Sequence, residues 1–249
     1  MDQAEPRRKR RVLRGIGVVA GAFVFWLFFV WPPPLWYAVT FPRETSFQAM
    51  RRHADPVAAR KRRYDPVPLE RIAPSLYRAV LVGEDHRFYE HSGFDFVELR
   101  KALGYTRDSF DLMNSRDRSG MLRGIQRTWA SDRELRGAST ITQQLAKNLY
   151  LSPSRNPLRK VKEAVTAARL ELWLSKDRIL ELYLNTVELG DEVWGVEAAS
   201  QFYFGRSAAR VTRDQAATLA AILPHPRTSN PIFRPGRMNW KRNWILRRM

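Results

Sequence analysis

The stretch AVLVGEDHRFYEHSGFDF, residues 79–96, sets a pair of carboxylates, several aromatic side chains and a histidine at helical spacing. Pro74 before it is typical of a helix start and Gly93 of a helix stop, so we expect one helix between them. Glu84 lies on the apolar stripe of that helix. A carboxylate that faces apolar neighbours is desolvated, and desolvation makes it a stronger base. The stretch therefore predicts a helical domain with a reactive site at Glu84.

The neighbours of Glu84 along this helix leave a second interpretation open. Val80 lies one turn before it and Phe88 one turn after it, while His91 lies two turns on, close enough to the same face to help shape a pocket. The alternative is a surface helix in which Glu84 is a solvated charge and His91 caps the end. One motif does not decide between the two, because isolated matches are often false.

Composition narrows the range of partners. The chain has 249 residues, a formal net charge of +18 and a pI near 10.9, which indicates an anionic partner: nucleic acid, an acidic membrane surface or a phosphorylated substrate. It has no cysteine, which excludes disulfides, thiolate catalysis and cysteine-ligated zinc. Its four histidines form no His-Glu-x-x-His arrangement, so an imidazole metal site has little support.

The N-terminus favours a membrane. A basic cluster at 7–14 precedes an apolar run at 15–31, and arginine and lysine beside such a run stay cytoplasmic. We expect a cytoplasmic tail at 1–11 and a transmembrane anchor at 12–34, with the rest of the chain outside the cytoplasm and no nucleic-acid partner. A cleaved signal peptide is the alternative, but prolines and bulky aromatics follow the run instead of small residues.

The remainder divides into a basic juxtamembrane linker at 35–63 and a domain at 64–249. The domain should be mainly α-helical, with short strands near Tyr64–Pro68 and Asn185–Leu189 and a long polar segment at 106–133. After the first helix we expect helices at 97–105, 140–151, 158–174, 177–184, 196–204 and 213–223. In the helix at 177–184 the inward side chains should be Ile179, Leu180, Tyr183 and Leu184.

A second group of polar residues opens the helix at 140–151. Thr140 and Gln143 have the spacing of a capping box. The other polar residues of this turn, Gln144, Lys147 and Asn148, join them near the helix N-terminus, where phosphate or sugar hydroxyls bind well. A capped surface helix would explain the first pair but not the other three. The apolar face should consist of Ile141, Leu145 and Leu149.

A third group surrounds Glu163. Asn156 and Pro157 indicate the start of its helix, and neighbouring cations would keep Glu163 ionised. An ordinary ion pair with Arg159 is the simpler explanation. However, cations concentrate around these two helix starts, which is what a diphosphate leaving group needs. They are Lys147, Arg155, Arg159, Lys160 and Lys162.

Four ordered motifs together resemble the peptidoglycan glycosyltransferase family, which also forms the N-terminal half of bifunctional penicillin-binding proteins. The motifs are EDHRFYEHSG at 84–93, GASTITQQLAKN at 137–148, RKVKE at 159–163 and ILELYLN at 179–185. The resemblance implies a lysozyme-like helical fold, lipid II and the growing lipid-linked glycan strand as substrates, and a divalent cation (Mg2+ or Mn2+) that assists the diphosphate. It implies no organic cofactor, and it identifies no metal ligands in this sequence.

The resemblance also implies roles for residues. Glu84 matches the catalytic base, which would deprotonate the GlcNAc 4-hydroxyl of lipid II as it attacks the anomeric carbon of the terminal MurNAc, with inversion. Glu163 matches the second essential glutamate, which helps undecaprenyl diphosphate to leave. The substrate-binding residues would be Ser139, Thr140, Gln143, Gln144, Lys147, Asn148, Arg155, Arg159 and Lys160. The residues that shape the pocket would be Asp85, Phe88 and His91.

The chain is similar to the monofunctional biosynthetic members, because it has no Ser-x-x-Lys or Lys-Thr-Gly element for transpeptidation. This likeness implies a single-pass protein of the bacterial inner membrane, with its catalytic domain in the periplasm and contacts with other cell-wall synthesis proteins. One departure is a segment at 104–133 that is longer than the family leads us to expect. Two rivals remain: a membrane-anchored enzyme that cleaves glycans, against which the cations argue, and a non-catalytic scaffold that binds anionic lipid.

Overall fold

The computed structural model describes residues 4–26, 34–102, 113–115, 117–120, 139–150 and 158–249. Most of these residues are helical, which confirms the prediction of a mainly α-helical domain. The α-helices are α1 (Ala4–Phe25), α2 (Ser46–Ala54), α3 (Pro74–Glu84), α4 (Phe96–Ala102), α5 (Ile141–Tyr150), α6 (Leu158–Trp173), α7 (Lys176–Thr186), α8 (Val196–Phe204), α9 (Arg213–Ile222) and α10 (Gly236–Leu246). Within the described ranges, no helix has both the length and the apolar character needed to cross a membrane.

Sequence patterns located most of these helices. α8 has the predicted bounds, and the observed bounds of α5, α6, α7 and α9 differ from the predicted ones by two residues or fewer. α4 starts one residue early, and the chain from 103 to 112 lies outside the described residues. The predicted Asn156–Pro157 helix start and nearly all of the segment at 106–133 also lie outside them. α2 and α10 were not predicted, and α2 lies in the segment whose basic composition indicated a linker.

A small sheet lies beside the helices. Its strands are β1 (Arg63–Tyr64), β2 (Glu188–Gly190) and β3 (Val193–Trp194), in the order β1-β3-β2. β1 pairs with β3 in parallel, and β2 pairs with β3 antiparallel. The first two strands overlap the stretches expected to form strands. Because β1 begins at the end of the predicted linker, the sheet fixes that point of the linker to the domain.

The core lies between two groups of helices. α3 packs against α9 and α10, while α5 packs against α6 and α7. The apolar faces predicted for α5 and α7 are buried, and the residues that confirm this are Ile141, Leu145, Leu149, Ile179, Leu180, Tyr183 and Leu184. A fully buried leucine or isoleucine contributes about 1.5–3 kcal/mol to stability. These side chains therefore fix α5 and its polar residues against α7.

The helix that carries Glu84 is shorter than its sequence pattern predicts. α3 ends at Glu84 rather than continuing to Gly93, and a separate 3-10 turn follows at Phe88–Glu90. Asp85 caps the helix end in a non-helical conformation, with φ −161° and ψ 75°. The cause is tertiary, because both carboxylate oxygens of Asp85 bind groups beyond the helix. Phe88 is therefore not one helical turn from Glu84.

The segment predicted as a juxtamembrane linker is folded against the domain. The Arg178 guanidinium donates to the carbonyl oxygens of Tyr37, at 2.5 Å, and Thr40, at 2.6 Å. It also lies 4.6 Å from the centre of the Phe41 ring. Farther on, α2 starts with a complete capping box between Thr45 and Gln48. A basic composition therefore conceals ordered structure in this part of the chain.

Candidate active site

Glu84 lies among polar partners at the end of α3. One carboxylate oxygen, Oε1, accepts a hydrogen bond from Lys241 Nζ at 2.6 Å, and Oε2 accepts one from Gln144 Nε2 at 3.1 Å. Only 12% of its side chain is exposed. The predicted apolar surroundings are therefore wrong: the side chain is largely shielded from water, but its nearest partners are a cation and an amide. The early helix end explains the error, since it removes Phe88 from the same face.

Lys241 reaches Glu84 because α10 approaches α3 closely. At Gly83 an added Cβ would lie 3.1 Å from Ile245 Cδ1, so the missing side chain permits the contact. Lys241 lies one turn before Ile245 on α10 and faces the same way. Sequence analysis missed this residue, because 157 positions separate it from Glu84. The only local signal was the glycine beside Glu84.

Asp85, predicted to shape the pocket, joins three parts of the site. Its Oδ1 lies 3.0 Å from His91 Nε2, and its Oδ2 accepts a hydrogen bond of 2.9 Å from the backbone N–H of Ile141. That N–H belongs to the first turn of α5, where a carboxylate is favourable. Phe88 is fully buried, and its ring meets the His91 ring edge-on at 6.4 Å. Asp85, His91 and Phe88 therefore form one connected group next to Glu84 in the chain.

The predicted capping box at the start of α5 is confirmed. The Thr140 hydroxyl accepts from the Gln143 N–H, and the Gln143 side chain accepts from the Thr140 N–H. The same hydroxyl donates to the Gly93 carbonyl at 2.7 Å. Ser139 and Thr140 also line a cavity of about 40 Å³ next to Glu84. Thus Gln143 has a local structural role, whereas Ser139 and Thr140 border the space beside the carboxylate.

A larger groove opens on the other side of α5. Its volume is about 680 Å³, and Gln144, Lys147 and Asn148 contribute to its wall. Arg51 of α2 and Glu188 also line the groove, and they form an ion pair of 3.0 Å. Burial raises the pKa of the Glu188 carboxyl, and the hydrogen bond and charge of Arg51 oppose that rise. Three of the predicted binding residues therefore share one groove with a further cation, Arg51.

Glu163 is buried on α6, which packs against α5. Lys160 donates to its Oε1 at 2.8 Å, and most of the Lys160 side chain remains exposed. The alternative of an ion pair between Arg159 and Glu163 stays a prediction, because the Arg159 side chain lies outside the described residues. Arg155 and the side chain of Arg159 lie outside the described residues. Part of the predicted cationic group therefore remains a prediction.

One group in the described chain has the composition of a cation site. Asp85, His91 and Asp95 bring ligand atoms within 4.8 Å of one another. Both Asp85 oxygens already accept hydrogen bonds, and Asp95 Oδ1 accepts from the Arg87 guanidinium at 3.2 Å and from two backbone N–H groups. A dication would displace these donors and meet the Arg87 charge. These residues therefore do not fit a divalent cation.

Comparison with known proteins identifies the family of this chain. The transglycosylase family model matches residues 52–115 and 110–249, so the chain belongs to the transglycosylase family and is a glycosyltransferase. Three relatives are each named biosynthetic peptidoglycan transglycosylase. One from Bordetella pertussis is 39% identical, over 96% of this chain and 90% of its own. One from Aromatoleum aromaticum is 37% identical, over 91% of each chain, and one from Haemophilus influenzae is 42% identical, over 75% and 67%.

Proposed function

We propose that this protein polymerises lipid II into β-1,4-linked glycan strands and releases undecaprenyl diphosphate, as part of bacterial cell-wall synthesis. The contacts of Gln144 are the observation that carries the proposal. This residue binds the Glu84 carboxylate and also lines the groove that contains Lys147. One side chain, Gln144, therefore contacts the proposed base and also borders the groove that contains the cation. The names of the relatives agree with this activity.

In the proposed mechanism Glu84 removes the proton from the GlcNAc 4-hydroxyl as its oxygen attacks the anomeric carbon of the terminal MurNAc. The configuration at that carbon inverts, and the bond to the diphosphate breaks. Lys241 and Gln144 hold the carboxylate in place before the reaction. In this mechanism Lys147, which lines the groove, and Lys160 stabilise the departing diphosphate with their positive charge. Glu163 orients Lys160 through their ion pair.

We also propose that the chain is anchored in the inner membrane by residues 12–34, with the domain in the periplasm. The apolar run at 15–31 and the basic cluster at 7–14 support this. Beyond the run, Leu35, Trp36 and Val39 keep their apolar side chains exposed, as suits a membrane interface.

Dependence on Mg2+ or Mn2+ is a further proposal, for which the diphosphate itself would supply oxygen ligands. The mechanism above includes no step through that cation.

The experiment uses the purified full chain in detergent, with lipid II and, separately, with finished glycan strands. Polymer from lipid II and no cleavage of strands is the expected result, and the opposite pattern would contradict the proposal. Glu84→Gln should lower the polymerisation rate at least about 100-fold, the usual contribution of a general base. Glu90→Gln is the matched control, because Glu90 is 61% exposed and pairs with Arg87. Repeating the assay with EDTA and then with added Mg2+ tests the cation.

Lys241 provides a second test of the same site. Lys241→Met should lower kcat by about tenfold or more, because it removes a charged partner that positions the base. Arg242→Met, the next residue on α10, should retain activity, since Arg242 faces Asn243 and Asp214. Equal rates in the two variants would show that the contact between Lys241 and Glu84 does not serve the reaction.

A further inference from the structure

The orientation of the Gln144 side chain follows from the chemistry of its two partners. An ionised carboxylate only accepts hydrogen bonds, so Glu84 Oε2 requires the NH2 end of the amide at their 3.1 Å contact. The carbonyl end, Oε1, must then face the other partner, the Tyr183 hydroxyl, at 2.8 Å. That hydroxyl must donate, because an amide oxygen only accepts. Each assignment along Tyr183, Gln144 and Glu84 therefore requires the next.

Tyr183 is well placed to keep this arrangement permanent. It lies on α7, and its side chain is fully buried at the edge of the groove, so its position beside Gln144 is fixed by packing. Burial raises the pKa of Tyr183 well above its ordinary value, and the nearby charges of Glu84 and Asp85 raise it further. The hydroxyl consequently keeps its proton, and remains a donor, at every pH at which a cell-wall enzyme works.

Without this hydroxyl the amide could rotate. Its two ends are nearly equal in size, and a rotated amide would present its oxygen to the Glu84 carboxylate, where two acceptors repel each other. Glu84 would then lose its Oε2 partner and retain only Lys241 at Oε1. A base held on one side samples more orientations, and misplacement of a reactive group costs rate rather than binding.

We propose that Tyr183 is a positioning residue for the glycosyl transfer: its hydroxyl orients the Gln144 amide, which holds the Glu84 carboxylate in its reactive position. The inference rests on the proposed role of Glu84 as the base. It differs from the interpretation of Tyr183 as an inward-facing core residue, which its burial alone would support. It also gives Gln144 a role toward the base in addition to its place in the groove wall.

The test compares Tyr183→Phe with the parent on lipid II. The variant removes one hydroxyl and keeps the ring, so we expect kcat to fall about tenfold, the effect of one hydrogen bond, with KM unchanged within about twofold. Tyr203→Phe is the matched control, because the Tyr203 hydroxyl donates to the Leu189 carbonyl, away from Glu84. It should retain the parental kcat. Melting temperatures of both variants establish that they are folded.

A double-mutant cycle with Gln144→Ala separates positioning from general packing. If Tyr183 acts through Gln144, adding Tyr183→Phe to Gln144→Ala should lower kcat no further. The same tenfold fall in both backgrounds would overturn the inference, as would a Tyr183→Phe protein with parental kcat while Glu84→Gln is inactive. A fully active Glu84→Gln protein would instead contradict the proposed function, so the two failures are distinguishable.

Discussion

Replacing Asp85 by alanine should destabilise the whole domain, because one carboxylate satisfies two buried groups. Ile141 is fully buried, so its N–H cannot turn to water, and leaving such a donor unpaired costs about 1–3 kcal/mol. The His91 side chain is 7% exposed, and the loss of its hydrogen bond adds about 1 kcal/mol. The expected loss is therefore about 2–4 kcal/mol, or roughly 4–16 °C in Tm for a domain of this size.

The matched variant is Asp85→Asn, which keeps the shape of the side chain. Its oxygen can accept from the Ile141 N–H while its NH2 group donates to His91 Nε2. The ring must then carry its proton on Nδ1, which is buried and has no hydrogen-bond partner among the described residues. The change of tautomer therefore breaks no other bond and exchanges an unpaired acceptor for an unpaired donor at that atom. We expect a net loss of about 1 kcal/mol.

Urea unfolding of the detergent-solubilised protein, followed by tryptophan fluorescence, measures both variants. The chain has eight tryptophans, which provide a strong signal. Equal losses for Asp85→Ala and Asp85→Asn would refute the reasoning, because charge rather than hydrogen bonding would then explain the effect. An Asp85→Ala loss below about 0.5 kcal/mol, the scale of an ordinary surface substitution, would refute it as well.

Two further predictions concern other parts of the domain. Gly195→Ala should cost at least about 3 kcal/mol, because φ is +81° and the new Cβ would lie 2.5 Å from the Asn185 carbonyl oxygen. Gly205→Ala, at φ +63° with open space around it, should cost only about 1–2 kcal/mol; equal losses in urea unfolding would contradict the steric argument. Glu188→Gln should stabilise the protein, because burial raises the pKa of the Glu188 carboxyl and so penalises its ionised form. That gain should be absent below about pH 4, where the carboxyl is protonated even in the unfolded chain, and should grow as pH rises through the raised pKa; a gain that shrinks between pH 4 and pH 8 would contradict it.

Local signals explain what sequence predicted well. The capping box at Thr140 locates α5, and it forms the expected side-chain contacts. Apolar periodicity identified the buried faces of α5 and α7 correctly. The predicted extension of α3 past Glu84 was wrong. Apolar residues continue at every fourth position, but the backbone leaves the helical conformation at Asp85. Asp85 ends the helix through Ile141, 56 residues away, and no local rule includes such a contact.

The types of residue around Glu84 were predictable from the sequence, but their arrangement was not. The sequence indicated both Glu84 and Gln144 as site residues, but it did not predict the hydrogen bond that Gln144 donates to Glu84. The role of Lys241 could not be predicted, because nothing in the sequence distinguishes it from the other basic residues of α10. Charge patterns also concealed the fold of α2, whose Arg51 lines the groove. Contacts between distant segments decide these points, and periodicity within one segment carries no information about them.

The hydrogen bond between the Thr140 hydroxyl and the Gly93 carbonyl has a consequence for how this chain tolerates change. It joins residues 47 positions apart, and the Asp85 contact to Ile141 closes the same interval a second time. Both ends of the interval are thereby fixed beside Glu84, whatever length of chain lies between them. Doubling such a loop costs only about 0.6 kcal/mol in closure entropy. Insertions and deletions between residues 103 and 138 should therefore cost little closure entropy, and both contacts beside Glu84 would stay in place.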